Sequence, residues 1–144
     1  MNSVAYDIAH YIDSNKVSIS DLIAGIPDPT VSSVPDYSIY WNVEPDMPAK
    51  CITIIASAGP EPQQTLDHST TIDETPIQIR VRSLDTEEAE KVLHAIVGWL
   101  YSRSRPTMIG TQAYQAIQKA GVLIPLGQDE RRRWKCVWNL RVYR

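Results

Sequence analysis

A chain of 144 residues, 43% hydrophobic and 22% charged, is long enough to bury one core and has the composition of a globular domain. Its longest uninterrupted apolar run, near Ile54, is only a few residues, so no membrane-spanning helix is expected, and the acid-bearing first residues are not expected to form a secretory signal. The formal charge of −3 conceals an asymmetry, because residues 1–74 hold eleven acids and two bases while residues 75–144 hold six acids and twelve bases. Such a split suits a nucleic-acid face, copies that associate acidic surface to basic surface, or a merely uneven surface.

A first helix is predicted over 3–14, with Ser3 or Asn2 as cap, Asp7 near the positive end of its dipole and Val4, Ile8, Tyr11 and Ile12 on one stripe. Residues 16–36, with Pro27, Pro29 and Pro35 among Ser and Asp, read as extended coil with at most one helical turn. Strands are predicted at 38–43 and 50–57, and the proline-rich EPDMPA between them predicts a turn joining antiparallel neighbours. Residues 58–74 lack any period and predict a long polar loop, of the kind that is functional or mobile.

The strongest local signal spans 75–104. Ile77, Ile79 and Val81 alternate with Gln78, Arg80 and Arg82, the pattern of a strand with one wet face. Asp85 and Glu88 then stand at capping-box spacing before a helix whose apolar arc is Ala89, Val92, Leu93, Ile96, Val97, Trp99 and Leu100. Gly98 falls on the polar side of that helix, and Pro106 is expected to end it. Beyond it, 111–119 predicts a strand, 121–128 a connection, and 134–143 a long closing strand with one apolar face. The order of elements predicts a single α+β domain over 1–144, with a mostly antiparallel sheet of about five strands and two helices packed on one face.

Catalytic and metal-binding patterns are missing. His10, His68 and His94 are scattered, neither Cys51 nor Cys136 has a second ligand at zinc spacing, and no nucleotide, protease or hydrolase motif is present. The two cysteines fall in separate strand-like runs and read as reduced core thiols, able to pair only if those strands lie close. The acids Asp85, Glu87, Glu88 and Glu90 read as cap and solvated face, so the chain is expected to be neither an enzyme nor a cofactor binder. Arg131, Arg132 and Arg133 before the last strand, with Arg80 and Arg82, form the basic feature; it suits a solvated strand end, a subunit contact or a phosphate backbone.

The run TPIQIRVRSLDTEEAEKVLHAIVGWL and the order of elements resemble the tail terminator, or tail completion, proteins of long-tailed bacteriophages, also labelled minor capsid proteins. In that family a proline-led strand with Gln and Arg at fixed places leads into a helix opened by acids, and Pro76, Ile77, Gln78, Ile79, Val81 and Arg82 match it; the LIPLGQDERRRW and LRVYR ending is similar too. The resemblance implies a non-enzymatic virion protein without cofactors, made in the host bacterial cytoplasm and placed at the head-proximal end of the tail. It implies a ring, of six copies, that caps the tail tube, stops addition of tube protein and faces the head connector or head-closure protein, with DNA only as passing cargo. A head-closure or neck component, or a small nucleic-acid-binding module, are the alternative readings. A head-to-tail ring needs two complementary surfaces, so Gln78, Arg80, Arg82, Arg131, Arg132 and Arg133 are the expected subunit contacts, meeting acids of the next copy's first half. Glu61, Gln63, Gln64, Asp67 and His68, in the 58–74 loop, are the expected tube or head contacts.

Overall fold

The computed structural model describes residues 3–20, 37–57, 63–64, 71–103, 107–110 and 112–144. In chain order the elements are α1 (Val4–Ser14), α2 (Lys16–Ser20), β1 (Ser38–Trp41), β2 (Cys51–Ala56), β3 (Gln63–Gln64), β4 (Thr71–Ile72), β5 (Glu74–Ser83) and α3 (Thr86–Tyr101), followed by β6 (Thr107–Ile109), β7 (Gln112–Tyr114), β8 (Ala116–Lys119), β9 (Ile124–Gln128) and β10 (Trp134–Tyr143). The main sheet runs β1-β2-β5-β10-β8, with β9 also paired to β10. Its middle is the antiparallel ladder of β5 and β10, continuous from Ser83↔Trp134 to Glu74↔Tyr143.

The alternation in β5 and β10 divides the sheet into two faces. One carries Ile52, Ile54, Ile77, Ile79, Val81, Cys136, Trp138, Leu140 and Val142, and α1 and α3 bury it in one core with Ile8, Ile12, Leu93, Ile96 and Leu100. The helices meet through Tyr11 and Trp99, whose rings lie 4.9 Å apart. The fold is the expected α+β with helices on one face, and the sheet is mostly antiparallel, with β1 and β2 its parallel pair among the described residues. Cys51 and Cys136 are both buried and free. They sit opposite Arg82 and Val81 of the strand between them, so they face opposite sides of the sheet. Burial pushes the Cys136 thiol up to about 12 and raises Cys51 as well, so both stay neutral.

Ser3 caps α1 through its hydroxyl, and Asp85 caps α3 by accepting from the Glu87 amide. The reciprocal half of the expected capping box is not made. Glu88 instead accepts from the Tyr37 hydroxyl at 3.0 Å and lies 3.6 Å from Lys50, a longer-range pairing that ties β1 and β2 to the helix. The helix stops at Tyr101, where the Ser102 amide and hydroxyl return to the carbonyls of Gly98 and Trp99 and the Arg103 guanidinium covers the Trp99 ring. That local cap ends it before Pro106, which lies outside the described residues.

Several expectations need correction. The 42–50 segment joins parallel, not antiparallel, strands: Ser38–Trp41 runs alongside Cys51–Ile54 in the same direction. Asn42, at a φ of 63°, turns the chain at the strand end with its amide on Ile54, and the nine residues then travel back along the outer face. Four strand residues to retrace is roughly 13 Å, well within reach of that length. The expected single strand at 111–119 is two. Gly110, at a φ of 62°, turns β6 into β7, and Gln115 breaks the run before β8. The expected connection at 121–128 contains β9, an edge strand that tolerates Pro125, with Gly127 at a φ of 80° beside a register shift. Within the 58–74 loop, Gln63 and Gln64 pair with Ile72 and Thr71, and Asp73 exchanges backbone hydrogen bonds with Arg144. Residues 16–20 form the single helical turn expected, and 21–36 lie outside the described residues.

A methyl group added at Gly98 meets no atom within 4 Å. Gly98→Ala should therefore raise the unfolding free energy by about 0.5–1 kcal/mol, whereas Leu93→Ala, at a fully buried position, should lower it by about 2–5 kcal/mol. Urea denaturation of the two variants checks both signs.

Candidate interaction surface

The second face of the sheet carries Cys51, Thr53 and Ile55 of β2, Gln78, Arg80 and Arg82 of β5, and Lys135, Val137, Asn139 and Arg141 of β10. By the alternation of the sequence this is the wet face. The structure covers half of it, because the 42–50 segment lies across the end that holds Arg80, Arg82 and Lys135.

Arg82 is only 2% exposed, so its place on a wet face is corrected. Its guanidinium donates to the carbonyls of Pro48 at 2.6 Å, Pro45 at 2.7 Å and Ala49 at 3.4 Å. Five planar donors suit three converging carbonyls in a way that a lysine ammonium would not. Glu44 of the same segment stands among three cations, 3.4 Å from Arg80, 3.8 Å from Lys135 and 3.9 Å from Arg82. One carboxylate facing three cations leaves this part of the face positive.

A second clasp holds the turn between β9 and β10. Asp129 accepts from the amides of Arg131 and Arg133 at 2.9 Å and from the Arg133 guanidinium at 2.8 Å. These bonds, the Arg133 amide foremost, hold its carboxyl below the usual carboxylate range. Arg133 is buried and also donates to the Asp46 backbone carbonyl, so it anchors the turn to the 42–50 segment and is not a surface group. Arg131 is exposed and pairs with Asp46 at 2.8 Å. Arg132, exposed at a φ of 60°, makes no ion pair among the described residues.

The other half of the face lies open. A shallow groove of about 480 Å³ is lined by Ile55, Gln78 and Asn139 in one row across the strands and by Ser57, Pro76 and Arg141 in the next. Gln78 accepts from Arg80 at 3.0 Å, and Arg141 lies 3.7 Å from Glu74. Neutral amides, short apolar groups and one cation offer a protein surface many hydrogen bonds. Among the described residues no group of His, Cys, Asp and Glu could hold a metal.

The six expected contact residues therefore divide. Gln78 lines the groove, Arg80 is half-exposed between Gln78 and Glu44 at the edge of the covering segment, Arg131 and Arg132 stand at the turn, and Arg82 and Arg133 lie inside. Gln63 and Gln64 belong to a separate two-stranded ladder, and Glu61, Asp67 and His68 lie outside the described residues. Glu44, Asp46 and Asp129 escaped the sequence reading. The available signal was two acids inside a proline-rich connection, facing a basic strand two elements away.

The sequence profile of a family described as bacteriophage tail terminator protein matches residues 11–142. No curated protein matches the chain.

Removing the Arg82 guanidinium strands three carbonyls. Arg82→Met should lower stability by about 3 kcal/mol and raise amide exchange across 42–50, read by hydrogen–deuterium exchange mass spectrometry. Because folding depresses the Asp129 pKa, its contribution is present above the ordinary carboxylate value and lost as pH falls through the depressed one. Asp129→Asn should therefore be less stable than the parent at neutral pH, with the difference closing on acidification in a thermal-melt series.

Proposed function

The chain belongs to the bacteriophage tail terminator family, and from that we propose that it closes into a ring on the end of the tail tube, halts tube growth and offers the head its joining surface. As a member of that family it is a structural protein of a phage tail whose work is contact with other tail components. The family match carries this reading; the surfaces just described support its mechanism.

A ring closed by rotation uses two different surfaces of each subunit. The exposed turn at Arg131 and Arg132 is a candidate for one of them, and the open groove at Gln78 is a further free surface on the face that the helices leave uncovered. Arg82 and Arg133 act indirectly in this reading, by fixing the 42–50 segment and the 129–133 turn before assembly. A surface fixed in advance loses less conformational entropy on docking. The 58–74 connection joins, in sequence, the neighbouring strands β2 and β5. We assign it the contact with tube protein or head connector, where Gln63, Gln64, Glu61, Asp67 and His68 would act.

Native mass measurement of the purified protein, alone and with tail tubes, tests the ring: a closed oligomer on tube ends is expected, and a chain that stays monomeric while tubes keep growing overturns it. Replacing residues 59–70 by a short Gly/Ser turn should preserve the circular dichroism spectrum and abolish capping, measured as tube length by electron microscopy. Tubes of unchanged length would remove the segment from the contact.

A further inference from the structure

A cleft of about 130 Å³ opens between α1 and β1, lined by Ala9, His10, Asp13, Ile39 and Trp41. Two rings line it, His10 and Trp41, and Tyr6 packs against both from outside the lining. Tyr6 and His10, one helical turn apart, have centroids 4.1 Å apart, and Trp41 stands edge-on to Tyr6 at 5.2 Å and 5.4 Å from His10. Trp41 is 41% exposed at the end of the sheet order, on a strand that pairs only with β2 among the described residues. Asp13 stands at the rim, its side chain 56% exposed, and among the described residues it is held only by the ion pair with Lys16 at 3.0 Å. Such a pair is worth little and yields readily to a better partner.

Aromatic faces beside a carboxylate select a cation, and a planar guanidinium in particular, which stacks on rings while its N–H groups reach the acid. The cleft has room for one long side chain and not for a helix or strand. Resting on the ring reading above, we propose that it receives Arg132 from the adjacent copy of this chain.

Arg132 has the matching properties. Its neighbours Arg131 and Arg133 are both committed to Asp46, and Arg133 to Asp129 as well. Arg132 has no ion partner among the described residues and stands at a φ of 60° at the tip of the turn. Non-glycine residues seldom adopt that conformation. Here it follows from Asp129 holding the amides on either side, and it leaves Arg132 projecting alone. Three strand spacings separate β1 from β10, on the order of 14 Å before the turn beyond β10 is counted. A subunit does not fill its own cleft across that width. The contact is head-to-tail, joining the acidic first half of one copy to the basic second half of the next.

A charge swap tests the pairing at two exposed positions where the fold is not at stake. Asp13→Arg and Arg132→Asp should each weaken self-association on tail tubes by about tenfold or more, and the double variant should recover most of the loss in sedimentation analysis. Single variants that assemble like the parent, or a double variant showing the sum of both losses, overturn the contact while leaving the ring in place. A parent chain that never self-associates, with or without tubes, overturns the ring and the contact together.

Discussion

The buried guanidinium of Arg82 is the interaction on which the arrangement turns. A parallel strand pair needs a connection that returns along the sheet, and that connection brings unpaired backbone carbonyls with it. Pro45, Pro48 and Ala49 present three of them to one side chain, and Arg82 answers all three. Desolvating the guanidinium is costly, and the carbonyls together with Glu44 offset that cost. With the return path fixed, β1 lies beside β2 in parallel register and Tyr37 enters the core. The cleft against α1 exists only because β1 lies there.

Two further polar ties join parts that the apolar core alone would leave loosely related. The Tyr37 hydroxyl lies 3.0 Å from both Ser83 Oγ and Glu88 Oε1, and Lys16 donates to the Tyr37 carbonyl at 2.8 Å. Burial raises the Tyr37 phenol, which keeps it a neutral donor. At the far end of α1, buried Asp7 accepts from the Tyr114 hydroxyl and lies 4.0 Å from Arg144. From its place in the sequence Asp7 has only a dipole role; its larger task is to bind β7 and Arg144 to the first helix.

What could be read from the sequence was whatever repeats with a period. β5, α3 and β10 carry long alternating or helical patterns, and their register and buried faces follow directly. Short elements gave no such signal. β9 contains Pro125 and Gly127, which argue against a strand until its place at an edge is known. The β1–β2 connection has turn residues in plenty, but a nine-residue segment reads alike whether it reverses the chain or carries it back. Arg82 looks like its neighbour Arg80 in the alternation. Only the covering segment, supplied from 33 to 37 residues earlier in the chain, makes one a buried anchor and the other a half-exposed cation.

The same logic reshapes the charge asymmetry. Much of the opposition between an acidic first half and a basic second half is satisfied within one chain, as Glu44, Asp46, Glu74 and Asp7 meet Arg80, Lys135, Arg131, Arg133, Arg141 and Arg144. Charges already paired contribute little to a new contact, because breaking one pair to make another returns little net free energy. Affinity between copies has to come from groups the fold leaves over. Subtracting the satisfied pairs removes most of the basic patch and leaves Arg132 as its outstanding cation, with the aromatic rim and lightly held Asp13 as the acidic half's counterpart. A single guanidinium entering a framed cleft also fixes orientation better than a diffuse patch does, and a ring needs that angular definition to close.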